Sequence, residues 1–179
     1  WQIDGVQQRM ARAVTEISLY QTHPERPTSV GVRLEMWRTS LMIWQNNPLL
    51  GTGAGDYAAD TRALHESGQM HMYPSVFNTH AHSIYFHILA MNGLLGLTGL
   101  LLALFIVPLW LLWRVSGDHD EAVFVRWGGT TVVLAGMVFG LTEHWLGWNA
   151  MVSAYLLLLL VFLTTKEVRS NVQPVVSGQ

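Results

Sequence analysis

No Asp, Glu, Lys or Arg occurs from Ser67 to Trp113, and from Trp127 to Thr165 the single such residue is Glu143. A water-soluble domain spreads charge over its surface at roughly 25% of its residues, whereas this chain carries 12%, mostly outside these two tracts. Apolar stretches of this length with so little charge are satisfied in lipid, where the helix supplies every backbone hydrogen bond internally. The second half of the chain therefore reads as membrane protein, and the fold class as all-α.

Three spans are expected. Leu94 to Trp113 covers twenty residues, enough for about 30 Å at roughly 1.5 Å per residue. A second runs from Trp127 to Thr142, reaching span length if Val123–Val125 join it, so its bounds are about 123–142. The third covers 145–165. Trp110, Trp113, Trp127, Trp145 and Trp148 lie at the ends of these runs, where amphipathic rings sit at the headgroup level. Arg114 and Arg126 in the first link, and Lys166 and Arg169 in the tail, place both on the cytoplasmic side. The link at 143–148 has no Lys or Arg. The segment before the first span then faces the periplasm or exterior.

Residues 1–87 contain no apolar run of spanning length. Ile3, Val6, Met10, Val14 and Ile17 recur at helical spacing, with Arg9, Arg12 and Glu16 off that face, giving an amphipathic helix over residues 1–20. Pro24 and Pro27 break it. Ser29 is placed to cap a second helix running to about Asn46, with Val30, Leu34, Trp37, Leu41 and Trp44 on one side. Asn47-Pro48 stops that helix. Gly51, Gly53 and Gly55 make a tight turn, and a short helix follows from Asp56 to about Glu66. Residues 67–79 read as loop. The division is thus a helical loop region, 1–92, and a membrane region, 93–179. A chain that opens on Trp1 in mid-pattern is expected to be the C-terminal part of a polytopic protein.

Several function classes drop out. A net charge of −2 gives no basic footprint for nucleic acid. With no cysteine there are no disulfides, thiolate metal sites or cysteine nucleophiles. Gly51-Thr52-Gly53-Ala54-Gly55 resembles a phosphate loop but lacks the following Lys-Ser/Thr and follows a helix rather than a strand. It reads as a compact reversal whose amides hold an anion only as a lesser alternative. Gly93, Gly96 and Gly99 have the spacing that lets helices pack closely. Glu143-His144 reads as an interfacial anchor.

The chemistry concentrates at His80-Ala81-His82-Ser83-Ile84-Tyr85-Phe86-His87, set directly against the first span. Imidazole titrates near neutral pH and can take and return a proton. The alternatives are polar residues at a helix entry, or half of a metal site with His65 and His71 as irregularly spaced extras. Arg33, with Trp37 one turn on, presents paired donors that match phosphate oxygens. Arg38 follows, about 140° further round the helix at 100° per residue.

Taken in order, these pieces resemble the O-antigen ligase and O-antigen polymerase superfamily of bacterial envelope glycosyltransferases. Ser29-Val30-Gly31-Val32-Arg33-Leu34-Glu35-Met36-Trp37 is similar to its Arg-x-x-x-Trp helix. Asn47-Pro48-Leu49-Leu50-Gly51-Thr52-Gly53-Ala54-Gly55 is similar to its glycine turn. His80 through Tyr85, followed by Asn92-Gly93-Leu94-Leu95-Gly96-Leu97, resembles its histidine segment and the span after it. The likeness covers roughly residues 29–165.

The resemblance implies transfer of a glycan from undecaprenyl pyrophosphate to an acceptor hydroxyl at the periplasmic face of the inner membrane, independent of metal or cofactor and inverting. The acceptor expected is lipid A-core; a growing polymer or a protein are alternatives. His82 matches the family's base and Arg33 its diphosphate-binding arginine, with His80, Ser83, Trp37 and Arg38 as supporting residues. Ser83 replaces the Asn that usually follows the histidine. A second diphosphate-binding arginine belongs to an earlier loop with no counterpart in this chain, so the chain alone is expected to be inactive. The competing class is a non-enzymatic transporter or metal-binding membrane protein using the histidine cluster.

Overall fold

A computed structural model describes residues 2–71, 80–115 and 120–170. Residues 72–79 of the loop expected at 67–79, Asp118 in the first link, the tail beyond 170 and the side chains of Lys166 and Arg169 lie outside the described residues. The described chain is helical and contains no strand. It divides into two compact units, residues 1–96 and 97–179.

In the first unit, helix α1 spans Gln2–Thr22, α2 Ser29–Asn46 and α3 Tyr57–Glu66. The helix α4, Ile84–Leu101, begins in this unit. The cap of α2 is Thr28 rather than Ser29: the Thr28 hydroxyl accepts the Gly31 amide at 3.0 Å. A second orphan amide, that of Val30, donates to the Glu16 carboxylate of α1 at 2.9 Å, which also complements the helix dipole. The buried side of α2 is not the Leu34/Leu41/Trp44 side. It is Val32, Glu35, Met36, Thr39, Ser40 and Ile43. Polar residues are tolerated there because they bond locally: the Thr39 hydroxyl donates to the Glu35 carbonyl and that of Ser40 to the Met36 carbonyl. Ile43, Tyr57, Ala81, Ala90 and Met91 form one core cluster; Tyr20 of α1 packs on a second, Val32 with Met36. The stripe Val6, Met10, Val14 and Ile17 on α1 is exposed.

The glycine turn docks onto a break in α4. Gly93 has φ 63° and ψ −163°, interrupting the helix. Four backbone bonds join the two segments: Thr52 N–H to Ala90 O, Gly53 N–H to Met91 O, Leu94 N–H to Pro48 O and Leu95 N–H to Leu49 O. A Cβ on Gly51 would stand 2.3 Å from the Met91 carbonyl carbon, and one on Gly93 2.4 Å from that of Leu49. Both glycines are required by this mutual approach and by their positive φ. Gly51→Ala is therefore expected to lower stability by about 2–4 kcal/mol, read as a fall in melting temperature of the detergent-solubilised protein.

In the second unit, a π-helical turn at Leu102–Ile106 leads into α5, Val107–Trp113. Helix α6 spans Asp120–Thr142, a 3₁₀ turn Trp145–Gly147, and α7 Asn149–Ser170. Pro108 offers no N–H to the Leu104 carbonyl, and the Tyr155 hydroxyl donates to it instead. The close helix contacts expected of Gly93, Gly96 and Gly99 belong to α6: a Cβ on Gly128, Gly129 or Gly136 would strike Phe162, Leu112 or Tyr155, whereas Gly99 has nothing within 4 Å. Arg114 closes α5 with its guanidinium 4.0 Å over the Trp110 ring.

Two helices are long and apolar enough to cross a membrane, Ile84–Trp113 and Asp120–Thr142. Of the third expected span, 145–165, the 3₁₀ turn takes up Trp145–Gly147, and the described apolar part of α7 covers Asn149–Thr164. Glu143 and His144 lie half-buried between α6 and that turn.

Candidate active site

The histidine segment turns sharply before α4. Ala81 and Ser83 are buried, at 0% and 1% exposure, so the small residues anchor the turn while His80 and His82, which alternate with them, are only partly buried. His82 has φ 49°, the one described residue other than glycine in the left-handed region. For a side chain with a Cβ this costs on the order of 1–3 kcal/mol, and such conformations gather at functional sites. The amide of His82 donates to Nδ1 of His80 at 3.3 Å, and the two rings meet edge to face with centroids 4.4 Å apart. His87, one turn into α4, rests its ring 5.0 Å from that of Tyr57. The Tyr57 hydroxyl is in turn shared with Ser40 at 3.1 Å, and burial pushes its pKa up to about 12.

Arg33 and His82 line the same cavity, of about 330 Å³, together with Pro27, Thr28, Ser29 and Val32. The first turn of α2 thus presents hydroxyls and a guanidinium to an imidazole some fifty positions later in the chain. Ser29 steadies Arg33: Nη1 donates to the Ser29 hydroxyl at 3.2 Å and to its carbonyl at 3.4 Å. Among the described residues, Nε of Arg33 is enclosed with no hydrogen-bond acceptor. Enclosed donors of this kind are rare, and a phosphate oxygen entering the cavity would satisfy one. Trp37 is not on the cavity wall. It stacks on Phe86 of α4 at 5.1 Å and 13°, pinning α2 to the helix that carries the histidines.

Arg38 is held elsewhere. Its guanidinium forks onto Glu35 at 2.8 and 3.1 Å and donates to the Gln69 carbonyl at 2.6 Å. Glu35 itself has no exposed side-chain surface. It also accepts the Tyr20 hydroxyl at 2.6 Å and the His71 amide at 2.7 Å, with Nδ1 of His71 at 3.2 Å. Burial acts to raise its pKa, but the bonds from Arg38, Tyr20 and the His71 amide outweigh it and hold the carboxyl at about 2. Burial and the same carboxylate push the Tyr20 hydroxyl up to about 12. This hub was not foreseen from sequence. Its one sequence signal is an acid set on the same helix side as Val32, Met36 and Ile43.

In the glycine turn the first three amides are engaged within the protein. The amides of Gly51, Thr52 and Gly53 donate to the carbonyls of Asn47, Ala90 and Met91. Among the described residues, no three His, Asp or Glu side chains gather in a way that could share a metal ion.

Apolar helices of spanning length, preceded in the chain by a helical unit that sets an imidazole and a guanidinium on one cavity, define a helical membrane protein with a chemically equipped unit. The O-antigen ligase family matches residues 3–101, more than half of the chain, and the chain belongs to that family. With the apolar helices, membership makes it a bacterial membrane protein of glycosyltransferase type, with lipid-linked glycans as its general substrate class. No curated protein matches the chain.

Proposed function

We propose that the protein is a ligase-type membrane glycosyltransferase that moves a glycan from undecaprenyl pyrophosphate to an acceptor hydroxyl, that of lipid A-core, at the periplasmic face of the inner membrane. The observation that carries this reading is the shared cavity of Arg33 and His82. A sugar hydroxyl is a poor nucleophile, and His82 takes its proton as it attacks the anomeric carbon. The bond from that carbon to the diphosphate breaks on the opposite side, inverting the centre. The growing charge on the leaving group is met by the Arg33 guanidinium, which fixed geometry makes effective without a metal ion. Helices α4–α5, α6 and α7 are taken as three crossings, with the link after Arg114 and the tail cytoplasmic. A polymerase or a ligase to protein would use the same residues, and the product lost on deletion separates them: capped lipid A-core, long polymer or glycoprotein.

Arg33→Ala in the intact protein is expected to raise the donor KM about ten- to a hundredfold, the worth of a charged hydrogen bond, with Arg33→Lys only partly restoring it. Unchanged donor affinity in Arg33→Ala would remove Arg33 from the diphosphate.

A further inference from the structure

We propose that His80 is a positioning residue that holds His82 in its left-handed conformation only while the His80 ring is neutral, so that acid disables the site through two histidines. The inference rests on His82 being the base. Its ground is the bond from the His82 amide to Nδ1 of His80 across two residues, the hydrogen-bonding pattern of an Asx-turn built with an imidazole. An acceptor Nδ1 has to be unprotonated, which puts the hydrogen of the neutral ring on Nε2. In the imidazolium both nitrogens are donors, so Nδ1–H would confront the His82 N–H and the bond is lost. A left-handed residue with a Cβ is kept there only by its surroundings, and this bond is local support of that kind.

The neighbours set how the pair titrates. The two rings lie edge to face, centroids 4.4 Å apart, so a charge on one disfavours a charge on the other and the protons leave in two coupled steps. Arg33 of α2, on the cavity it shares with His82, contributes a fixed positive charge. Glu16 of α1, at the start of α2, is engaged by the Val30 amide. Among the described residues, no carboxylate lines the cavity.

The test is made on the intact protein in membranes and in detergent. His80→Ala is expected to lower transfer about ten- to a hundredfold at neutral pH through misplacement of His82. His80→Asn should restore it to within about threefold, because the Asn oxygen accepts the amide two residues on. On the acid limb of log kcat/KM against pH, the wild type should approach a loss of two protons and His80→Asn a loss of one. In ¹⁵N spectra of histidine-labelled protein, Nδ1 of His80 should be bare near pH 8 and protonated in acid. Wild-type transfer by His80→Ala, equal losses in His80→Ala and His80→Asn, a two-proton limb surviving in His80→Asn, or hydrogen on Nδ1 near pH 8 would each overturn the proposal. Transfer by His82→Ala would instead overturn the assignment of the base, while the ¹⁵N result still decides whether His80 holds the turn.

Discussion

His82→Ala in the intact protein is expected to lower glycan transfer by about 10²–10⁴-fold, the range set by loss of a positioned general base. Membrane insertion and donor binding should be unchanged, since His82 is only partly buried and the diphosphate is assigned to Arg33 on the same cavity. The loss should therefore fall on kcat rather than on donor KM. The comparison that checks it is steady-state transfer from a polyprenyl pyrophosphate-linked glycan by membranes carrying equal amounts of each protein. A His82→Ala protein that transfers normally would dismiss His82 from the chemistry and leave its left-handed backbone without a functional reason.

The second large effect is structural. Glu35→Ala removes a carboxylate that accepts from Tyr20, Arg38 and the His71 amide, and leaves those donors in its place. Removing one member of a buried ionic network costs about 3–5 kcal/mol, so a large fall in melting temperature is expected. Glu35→Gln, which keeps an acceptor, should fall less. Folding depresses the Glu35 pKa from 4.5 to about 2. The stability it contributes is therefore present above the unfolded value and drains away as pH falls from 4.5 towards 2; at neutral pH it is on the order of 3 kcal/mol. Melting curves between these pH values should slope steeply for the wild type and be nearly flat at this site for Glu35→Gln. Equal slopes, or an unaltered melting temperature in Glu35→Ala, would show that the hub stabilises nothing. Because Glu35 lies between Arg33 and Trp37 on one helix, its loss should also loosen the cavity wall.

Much of this arrangement was legible in the residues. Charge-free tracts located the membrane region, and Pro24, Pro27 and Pro48 bracketed α2 closely. What failed did so where a local pattern was overruled by contact with distant chain. The apolar side of α2 misled because Thr39 and Ser40 satisfy themselves by back-bonding and can be buried, leaving Leu41 exposed. Gly93 reads from its spacing as a packing residue, but the partner that requires it, the Leu49 carbonyl, lies more than forty positions earlier. Gly51-Thr52-Gly53 could have offered free amides; the α4 carbonyls exposed by the break at Gly93 take two of them. For the site, residue type picked out the histidine segment and Arg33, and the family resemblance singled out His82 within it. Their meeting on one cavity depends on the packing of α2 against the start of α4, through Trp37 on Phe86, which no periodicity encodes.

The most direct measurement sets a photoreactive benzophenone side chain at position 27, on the cavity wall, in membranes loaded with radiolabelled undecaprenyl pyrophosphate-linked glycan. Light should join the label to the protein, Arg33→Ala should abolish most of that capture, and His82→Ala should leave it intact while blocking transfer. An active protein that captures no donor from this position, or captures it equally without Arg33, would contradict the account.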